Sequence, residues 1–334
     1  MDKPTPYDIN GVKGHKWTCT TNEEWREERS HSIGASSVGV LFGENHFRTP
    51  LELAHTMRDE LNGIFNYEET EAMQDGHLLE DYVAKKFALK SGYKIIEASS
   101  AEYLLRRDDT PFMHASPDRT YWIDENGPRH GKFAEKNKGI LECKTTNRKI
   151  DPDDLPLSWI FQVQVQMGIS GCHHAHIAWL CKRTFEFDYR KIEYDEEVFN
   201  AAIVICREFW DKCVQGGEDP APVTGSDVVS IYPHQVEGKR VTATKDIMQT
   251  ISDLKEMKAT KTALEGEIDE LTDKVKSYFT DEEALVDIDG HVLATFKATK
   301  GRSTLDSKKL AADYPDVYNA CLKTGSGTRT LRIA

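Results

Sequence analysis

Helix and strand patterns alternate between residues 71 and 215, and this alternation restricts the fold more than any other feature of the sequence. Apolar residues at positions 79, 83 and 87, for example, lie on one face of a helix. The predicted elements are helix 73–89, strands 93–98 and 102–105, a hairpin of strands 121–123 and 139–144 with its turn at 125–128, helix 159–169, strand 176–180 and helix 196–215. We therefore expect an α/β fold, with a mixed sheet covered by helices on both faces.

The regions on either side of this core differ from it in pattern. Residues 1–70 predict polar turns followed by helices, one of them beginning at Pro50. A segment rich in Gly, Pro and Asp predicts a linker over 221–240, between a first domain over 1–220 and a C-terminal α+β unit over 241–334. That unit is expected to hold a long helix over 245–279, whose apolar residues follow a 4-3 spacing, then two strands and a basic tail.

The formal net charge of −13 is spread unevenly along the 334 residues. Residues 296–334 contain eight Lys or Arg against three Asp, so this tail has a net charge of +5 and the rest of the chain −18. A DNA-binding groove needs only a local positive surface. The acidic total is therefore compatible with nucleic-acid binding but does not indicate it.

No stretch of the sequence approaches the roughly 18 apolar residues that a membrane-spanning helix needs. The N-terminus lacks the apolar segment of a signal peptide. Seven cysteines form no Cys-x-x-Cys pair, which favours reduced thiols over a disulfide framework. We expect a soluble cytoplasmic protein with no membrane partner.

The residues Glu142-Cys143-Lys144 end a predicted strand. Because side chains alternate along a strand, Glu142 and Lys144 share one face and Cys143 points into the core. This pair suits metal-assisted phosphodiester hydrolysis, since the carboxylate can hold a divalent cation while the ammonium group positions or polarises the attacking water. Glu-x-Lys also occurs at 237–239 and 256–258, so the triplet alone does not define a site.

The residues that precede this triplet strengthen the prediction. Asp118 lies in Ser-Pro-Asp, where the predicted hairpin begins, and Pro117 stiffens the chain just before it. Glu80 lies earlier still, beside the apolar stripe of its helix. Considered singly, Asp118 is typical of a turn residue and Glu80 of a solvated helix residue.

Three glutamines follow the triplet, on the predicted helix 159–169. Gln162 and Gln166 are four residues apart and share one helix face, whereas Gln164 points elsewhere. A polar helix side would also explain them. The group Cys172, His173, His174 and His176 lacks the paired spacing of zinc ligands, and we expect surface strand residues there.

Taken together and in order, these motifs resemble one family, the lambda-exonuclease/YqaJ branch of the PD-(D/E)xK nucleases. The motifs are Gly-x-x-Leu-Glu, Ser-Pro-Asp, Leu-Glu-x-Lys and Gln-Val-Gln, joined near the N-terminus by Trp25, Arg29, Ile33, Ala35 and Ser36. The C-terminal unit resembles the appendage of many phage and prophage members, in its segments 296–297, 306–308 and 331–333. The resemblance implies a restriction-endonuclease-like core encoded by a phage or prophage.

The resemblance also implies a site for two Mg²⁺ ions, in which Mn²⁺ could substitute. Asp118 would bridge both ions, and Glu142 with the backbone carbonyl of Cys143 would bind one of them. Glu80 would act at the second ion, directly or through water. Two metals flanking a scissile phosphate stabilise both the attacking and the leaving oxygen.

The remaining roles implied by the resemblance concern water and the DNA end. Lys144 and Gln162 would orient the attacking water. Arg29, Ser36 and Ser116 match positions that hold the 5′-phosphate of the resected strand, and guanidinium geometry suits a phosphate. A looser match is Arg148, because the family's second phosphate arginine lies slightly further past the lysine.

The activity implied is a 5′→3′ double-strand DNA exonuclease that releases 5′-mononucleotides and leaves 3′ single-stranded tails for recombination. Double-stranded DNA ends and a single-strand annealing protein would be its partners, and the family precedent is a ring-shaped homotrimer. Two alternatives stay open: a structure-specific endonuclease or resolvase on the same fold, and a catalytically silent DNA-binding or assembly protein. The presence of all five residues, Glu80, Asp118, Glu142, Lys144 and Gln162, counts against silence.

Overall fold

A computed structural model describes residues 4–45, 47–66, 70–96, 102–123, 138–323 and 329–333. The chain divides into two compact units, Met1–Ile231 and Tyr232–Ala334. Within the described ranges, no helix has the length and apolar character needed to cross a membrane. The predicted turn at 125–128 lies outside these ranges.

The first unit contains ten strands and seven α-helices within the described residues. The strands are β1 Thr5–Ile9, β2 Val12–Cys19, β3 Ile33–Gly34, β4 Lys94–Ile96, β5 Glu102–Arg107, β6 Met113–His114, β7 Arg119–Trp122, β8 Lys138–Thr146, β9 His174–Cys181 and β10 Phe187–Glu193. The helices are α1 Asn22–Ser30, α2 Val38–Leu41, α3 Pro50–Leu61, α4 Glu71–Ser91, α5 Leu157–Ser170, α6 Glu196–Glu208 and α7 Gly225–Ile231.

A five-stranded sheet in the order β10-β9-β8-β7-β4 forms the centre of this unit. Strands β8 and β9 run parallel, and every other neighbouring pair in the sheet is antiparallel. The parallel pair is possible because the segment between the two strands contains α5, which returns the chain to the starting edge. The predicted mixed sheet with helices on its faces is confirmed.

Two helices cover the central sheet on opposite faces. Helix α4 places Val83 and Phe87 in a buried cluster with Leu141 of β8. Helix α5 places Met167 in a second cluster, with Ile140 of the same strand. Neighbouring residues of β8 therefore enter different layers, so the alternation predicted from the sequence is confirmed for this strand.

Several predicted helix boundaries are confirmed closely because capping residues define them. Thr49 caps α3 through a capping box with Glu52, and proline occupies the first turn. Gly92 and Gly171 end α4 and α5 in the left-handed conformation, at φ of 79° and 74°. The predicted helix 196–215 is observed as α6, Glu196–Glu208, followed directly by a π-helix over Phe209–Gln215.

The N-terminal prediction was wrong, because residues 5–19 form the antiparallel hairpin β1–β2 instead of polar turns. Asn10 and Gly11 make its two-residue turn with φ of 53° and 83°. Positive φ at both central residues is the type I′ turn that Asn-Gly favours in hairpins. The hairpin continues into a three-stranded sheet through pairing of β2 with β5.

Cys172 and His176 were predicted to lie on the surface, and this prediction was wrong. Their side chains are only 6% and 5% exposed. The Tyr121 hydroxyl lies 2.7 Å from Nδ1 of His174 and 2.6 Å from Nδ1 of His176. One hydroxyl proton cannot serve two acceptors, so one imidazole accepts it and the other donates its own Nδ1–H. His176 is therefore part of the packed interior, beside Phe87, and His174 is half-buried next to it.

Burial, followed by the charges of His174 and Lys191, lowers the pKa of His176 from 6.5 to about 4. The unfolded chain binds a proton at His176 more tightly than the folded chain does. The contribution of neutral His176 to folding stability is therefore fully present above pH 6.5 and is lost as pH falls toward 4. We expect the unfolding free energy to drop by about 3 kcal/mol over this range from His176 alone. Urea unfolding at pH 7 and 4.5 measures the drop, and the His176→Gln variant should lose less; equal losses would contradict the prediction.

Helix α7 lies in the segment predicted as a linker and is held against the first unit. The Asp227 carboxylate accepts hydrogen bonds from the Thr49 hydroxyl at 2.8 Å and from the backbone N–H groups of Val223 and Thr224. Asp227 is only 2% exposed. The compact first unit accordingly extends to Ile231.

The second unit contains the long helix α8 Lys245–Lys276, the antiparallel hairpin of β11 Ala284–Val286 and β12 Val292–Thr295, and the short helices α9 Ser307–Asp313 and α10 Pro315–Cys321. The predicted long C-terminal helix is confirmed. It ends at Lys276, three residues before the predicted end.

Candidate active site

The candidate site is organised around Glu142 and Lys144, in the C-terminal half of strand β8. The Lys144 ammonium donates to Glu142 Oε1 at 2.7 Å and to Gln162 Oε1 at 2.9 Å. The Glu142 side chain is 2% exposed and that of Lys144 is 21% exposed. A buried carboxylate and a partly accessible ammonium group are thus held side by side on β8, the central strand of the sheet.

Helix α5 supplies two amides to the same carboxylate. Gln162 Nε2 donates to Glu142 Oε1 at 2.6 Å, and Gln166 Nε2 donates to Glu142 Oε2 at 2.8 Å. Gln164 instead bonds the backbone of Glu193 and Asp195. The shared face of Gln162 and Gln166 is confirmed, and both oxygens of Glu142 have fixed directions.

Asp118 reaches the site from the chain that enters β7. Its Oδ2 accepts a hydrogen bond from the Cys143 backbone N–H at 2.7 Å, between the two functional positions of β8. Strand β7 begins one residue later, at Arg119, so Ser-Pro-Asp does precede the hairpin as predicted. This bond fixes the Asp118 carboxylate beside the Glu142-Lys144 segment.

Glu80 projects from α4 and is paired with a residue that the sequence prediction missed. Arg119 Nη1 donates to Glu80 Oε1 and to the Asp118 carbonyl, and Nη2 donates to Asp81 Oδ1 at 2.8 Å. The Arg119 side chain is 18% exposed. Arg119 thereby ties the helix that carries Glu80 to the strand entrance that carries Asp118.

The three carboxylates affect one another electrostatically. Burial, and then the charges of Glu142 and Glu80, raise the pKa of Asp118 well above its usual range. Burial also raises the pKa of Glu80, although Arg119 partly opposes the shift. Burial alone would lower the pKa of Lys144, but Glu142 and Asp118 outweigh it, so that pKa is raised and the ammonium stays charged.

The donor set fits a hard divalent cation. Carboxylate and carbonyl oxygens are the ligands of Mg²⁺ in proteins, and a cation among Glu80, Asp118 and Glu142 would relieve the mutual repulsion that raises the pKa of Asp118. The carboxylate oxygens of these three residues do not all lie within 4.8 Å of one another in this structure. Glu80 is turned toward Arg119 and Glu142 toward its amide and ammonium donors.

A closer group lies at the exposed turn between β11 and β12. The ligand atoms of Asp287, Asp289 and His291 all lie within 4.8 Å of one another there. The Asp287 carboxylate already accepts the backbone N–H groups of Asp289 and His291. The geometry of a tight hairpin turn explains this cluster without a bound ion.

The residues predicted to hold a terminal phosphate lie on two segments that run side by side. Strands β3 and β6 pair in parallel, with Gly34 opposite His114. Ser36 and Ser116 each lie two residues beyond that pair. Ser36 is exposed, and the Ser116 hydroxyl is buried with no hydrogen-bond partner among the described residues.

The two predicted phosphate arginines differ in their surroundings. The Arg29 guanidinium stacks 4.2 Å from the Trp25 ring centre, and its charge acts on the buried His114, whose pKa is lowered by burial and then by Arg29 and Arg106. Arg29 therefore lies near His114, which is two residues before Ser116. Arg148 is exposed in the loop after β8, where its backbone N–H and carbonyl both bond the Thr146 hydroxyl.

Comparison with known proteins gives several similarities. The model of the YqaJ-like viral recombinase domain matches residues 24–173. A protein of Bacillus subtilis strain 168, YqaJ, described as uncharacterized, is 29% identical over 315 residues, which is 91% of each chain.

Two solved structures illustrate the similarity at the level of coordinates. One is the alkaline exonuclease LHK-Exo of Laribacter hongkongensis, 19% identical, with a TM-score of 0.47 over 58% of this chain and 94% of that one. The other is a phage-related exonuclease of Haemophilus somnus 129PT, 13% identical, with a TM-score of 0.39 over 56% of this chain and 96% of that one.

The matched segment contains Glu80, Asp118, Glu142, Lys144 and Gln162, the five residues whose order suggested the family from sequence. It also contains the segments of Arg29, Ser36 and Ser116. Residues 24–173 are therefore similar to the YqaJ-like viral recombinase domain.

Proposed function

We propose that this chain is a metal-dependent 5′→3′ exonuclease of double-stranded DNA. The observation that carries the proposal is the Lys144 ammonium, which donates to both Glu142 and Gln162 beside the Asp118 carboxylate. A cation-binding acid, a water-polarising ammonium group and an amide then converge at the end of one strand. This combination suits metal-assisted hydrolysis of a phosphodiester.

Each side chain has a defined part in that reaction. Asp118, Glu142 and the Cys143 carbonyl would hold Mg²⁺, with Glu80 completing a second position and Mn²⁺ able to substitute. The metal, when bound, supplies Lewis-acid activation of the phosphate and stabilises the leaving oxygen.

Lys144 and Gln162 orient the attacking water, because their positions are fixed by shared bonds to Glu142. Gln166 acts from the far side, as a positioning residue for the second Glu142 oxygen. Arg119 in turn holds Glu80 near the strand entrance, from which a change of side-chain rotamer would bring its carboxylate toward Asp118.

End recognition is the feature that favours an exonuclease over an endonuclease. Arg29, Ser36 and Ser116 would bind the 5′-phosphate of the strand being degraded, with Arg148 as an additional contact from its loop. The Ser116 hydroxyl is buried and has no hydrogen-bond partner among the described residues, which supports this role, since a phosphate oxygen would satisfy it. Ser116 is also two residues from Asp118, so a terminal phosphate held there lies close to the proposed metal site.

The biological role that we propose follows from the family. Resection from 5′ ends leaves 3′ single-stranded tails, which a single-strand annealing protein would take up in recombination of phage or prophage DNA. A ring-shaped homotrimer around the duplex would keep the enzyme on its substrate. The name of the family model, a viral recombinase domain, supports this context.

The proposed activity predicts a difference between linear and closed DNA. In Mg²⁺, linear duplex with 5′-phosphates should be degraded to 5′-mononucleotides, whereas covalently closed circles of the same sequence should survive. Duplex with 5′-hydroxyl ends should be degraded more slowly, because Arg29 and the two serines would lose their ligand. Strands labelled at either end, followed on denaturing gels, give the polarity.

Two outcomes of this assay would reject the exonuclease. Cutting of closed circles would identify a structure-specific endonuclease or resolvase on the same fold. Binding of duplex without cleavage of any substrate, in Mg²⁺ or Mn²⁺, would identify a catalytically silent DNA-binding or assembly protein.

A further inference from the structure

Helix α8 has no buried residue along its 32 positions. At 1.5 Å per residue such a helix is about 48 Å long. Helices in proteins owe most of their stability to an apolar face packed against a partner. The exposed fractions of Met257, Leu264, Ile268 and Leu271 are between 52% and 69% in this chain. A long helix with an uncovered apolar face is therefore the most unusual surface among the described residues.

Most large apolar residues of α8 follow a heptad repeat, with Met248 and Ile251 as the exceptions at b and e positions. Positions a are Ile247, Leu254, Lys261, Ile268 and Val275, and positions d are Thr250, Met257, Leu264 and Leu271. Seven of these nine residues are apolar. Repeats of apolar a and d residues over more than four heptads are the pattern of a helix that packs against another helix as a coiled coil.

We propose that α8 forms an antiparallel coiled coil with α8 of a second copy of this chain. An identical helix is the occupant whose apolar stripe matches this one in length and period.

Lys261 argues against the parallel arrangement. In a parallel pair in register, each a residue faces its own copy, so two Lys261 ammonium groups would meet in the seam. In an antiparallel pair centred between residues 262 and 263, Lys261 faces Leu264 of the second copy instead. The like-charge contact is then absent, and the lysine stem can cover apolar surface.

The charges that flank the seam favour the same direction. With the antiparallel centre between 262 and 263, Lys258 lies beside Glu265 of the second copy, and Asp253 lies beside Lys274. Each attraction occurs twice by symmetry. The parallel arrangement offers only Asp253 with Lys258 at the corresponding g and e positions. The antiparallel pair therefore has more complementary contacts and no buried like-charge pair.

The β11–β12 hairpin supplies a surface for the second helix. Beside the C-terminal half of α8 lies an open groove of about 420 Å³, lined chiefly by Ile268, Leu271, Val275, Phe279 and Phe296. In the antiparallel alignment, Leu254 of the second copy faces Leu271 and Met257 faces Ile268. The N-terminal half of the second helix thus brings apolar side chains to an apolar groove.

The oligomeric state of the full chain tests the association. For a first unit that is a monomer or the proposed ring trimer, light scattering after gel filtration should give the Leu264→Glu, Leu271→Glu double variant no more than half the mass of the wild-type chain. The matched control is Ser252→Glu, Ala259→Glu, which adds the same charge at f positions on the outer face and should keep the wild-type mass. Equal masses for all three chains would overturn the proposal.

Cysteine cross-linking tests the direction in the full chain. Cys321, the exposed cysteine of the second unit, is first replaced by serine. A mixture of the Thr250→Cys and Val275→Cys chains should then form disulfide-linked heterodimers, because these positions face each other in the antiparallel pair. Neither chain alone should cross-link through α8. Homodimers of either single variant, in place of heterodimers, would overturn the antiparallel arrangement.

Discussion

Replacement of Lys144 by alanine should reduce the rate of DNA hydrolysis by roughly 10³-fold or more, the range seen when a single charge-stabilising or proton-transferring group is removed. The ammonium group is the cation that lies between Glu142 and Gln162, and neither neighbour can supply its charge. Binding of duplex should change little, because one lysine among acidic side chains adds little to the long-range attraction of the phosphates.

Two measurements on the same preparations check this expectation. Single-turnover degradation of end-labelled linear duplex in Mg²⁺ gives the rate, and fluorescence anisotropy with Ca²⁺ in place of Mg²⁺ gives the affinity. Lys149→Ala is the matched control, since that lysine is 77% exposed, lies five residues further along and makes only a 3.6 Å pair with Glu186. A Lys144→Ala chain that retains its rate would show that the site is assigned to the wrong residues.

Loss of folding must be separated from loss of chemistry in this variant. Without Lys144, Glu142 would be a carboxylate with 2% exposure that has lost its cation, and breaking a buried pair in this way costs about 3–5 kcal/mol. Lys144→Gln retains a hydrogen-bond donor toward Glu142 but has no charge. It should therefore be as inactive as Lys144→Ala and distinctly more stable to urea.

The sequence was sufficient to predict the parts of the site that depend on periodicity. Alternation along β8 placed Glu142 and Lys144 on the face opposite Cys143, and the four-residue spacing placed Gln162 and Gln166 together. These rules hold because strands have a period of two and helices one of 3.6. The secondary structure around them was also predictable, since caps and terminal glycines define α3, α4 and α5.

What the sequence could not provide depends on contacts between distant segments. Arg119 was missed because its partner Glu80 lies 39 residues earlier, on another element. The role of Gln166 as a donor to Glu142 was missed because a glutamine on a helix is usually solvated. Burial of His176 depends on how α4 covers the sheet, which no local pattern reports.

The β1–β2 hairpin is different, because a local signal for it was present. Asn10-Gly11 lies between Ile9 and Val12, and an Asn-Gly pair between apolar residues is the strongest short signal for a two-residue hairpin. The polar residues of the flanking strands concealed it. Burial along β2 does not alternate strictly either, since Gly14 and Cys19 are both buried although they are five residues apart.

Asp118→Asn should have two opposite effects, abolishing hydrolysis while stabilising the chain in the absence of metal. Its carboxylate is withdrawn from solvent beside Glu142 and Glu80, which raises its pKa. The asparagine Oδ1 can still accept the Cys143 N–H, so the hydrogen bond survives while the repulsion disappears. We expect a gain of about 1 kcal/mol, the usual size of a stabilising substitution at such a site.

Divalent metal should reverse that order, and the reversal is the informative measurement. A cation that binds the folded wild-type chain and not the unfolded chain raises its stability by about 2.7 kcal/mol at one hundred times its dissociation constant. The variant lacks the Asp118 carboxylate that would hold the metal, so Mg²⁺ should leave its urea midpoint nearly unchanged. Asp75→Asn, which removes a carboxylate that is 52% exposed and 3.4 Å from Lys182, should respond to Mg²⁺ as the wild type does. If Mg²⁺ stabilised all three chains equally, Asp118 would have no part in binding metal, and the raised pKa of its carboxyl group would reflect burial among acids alone.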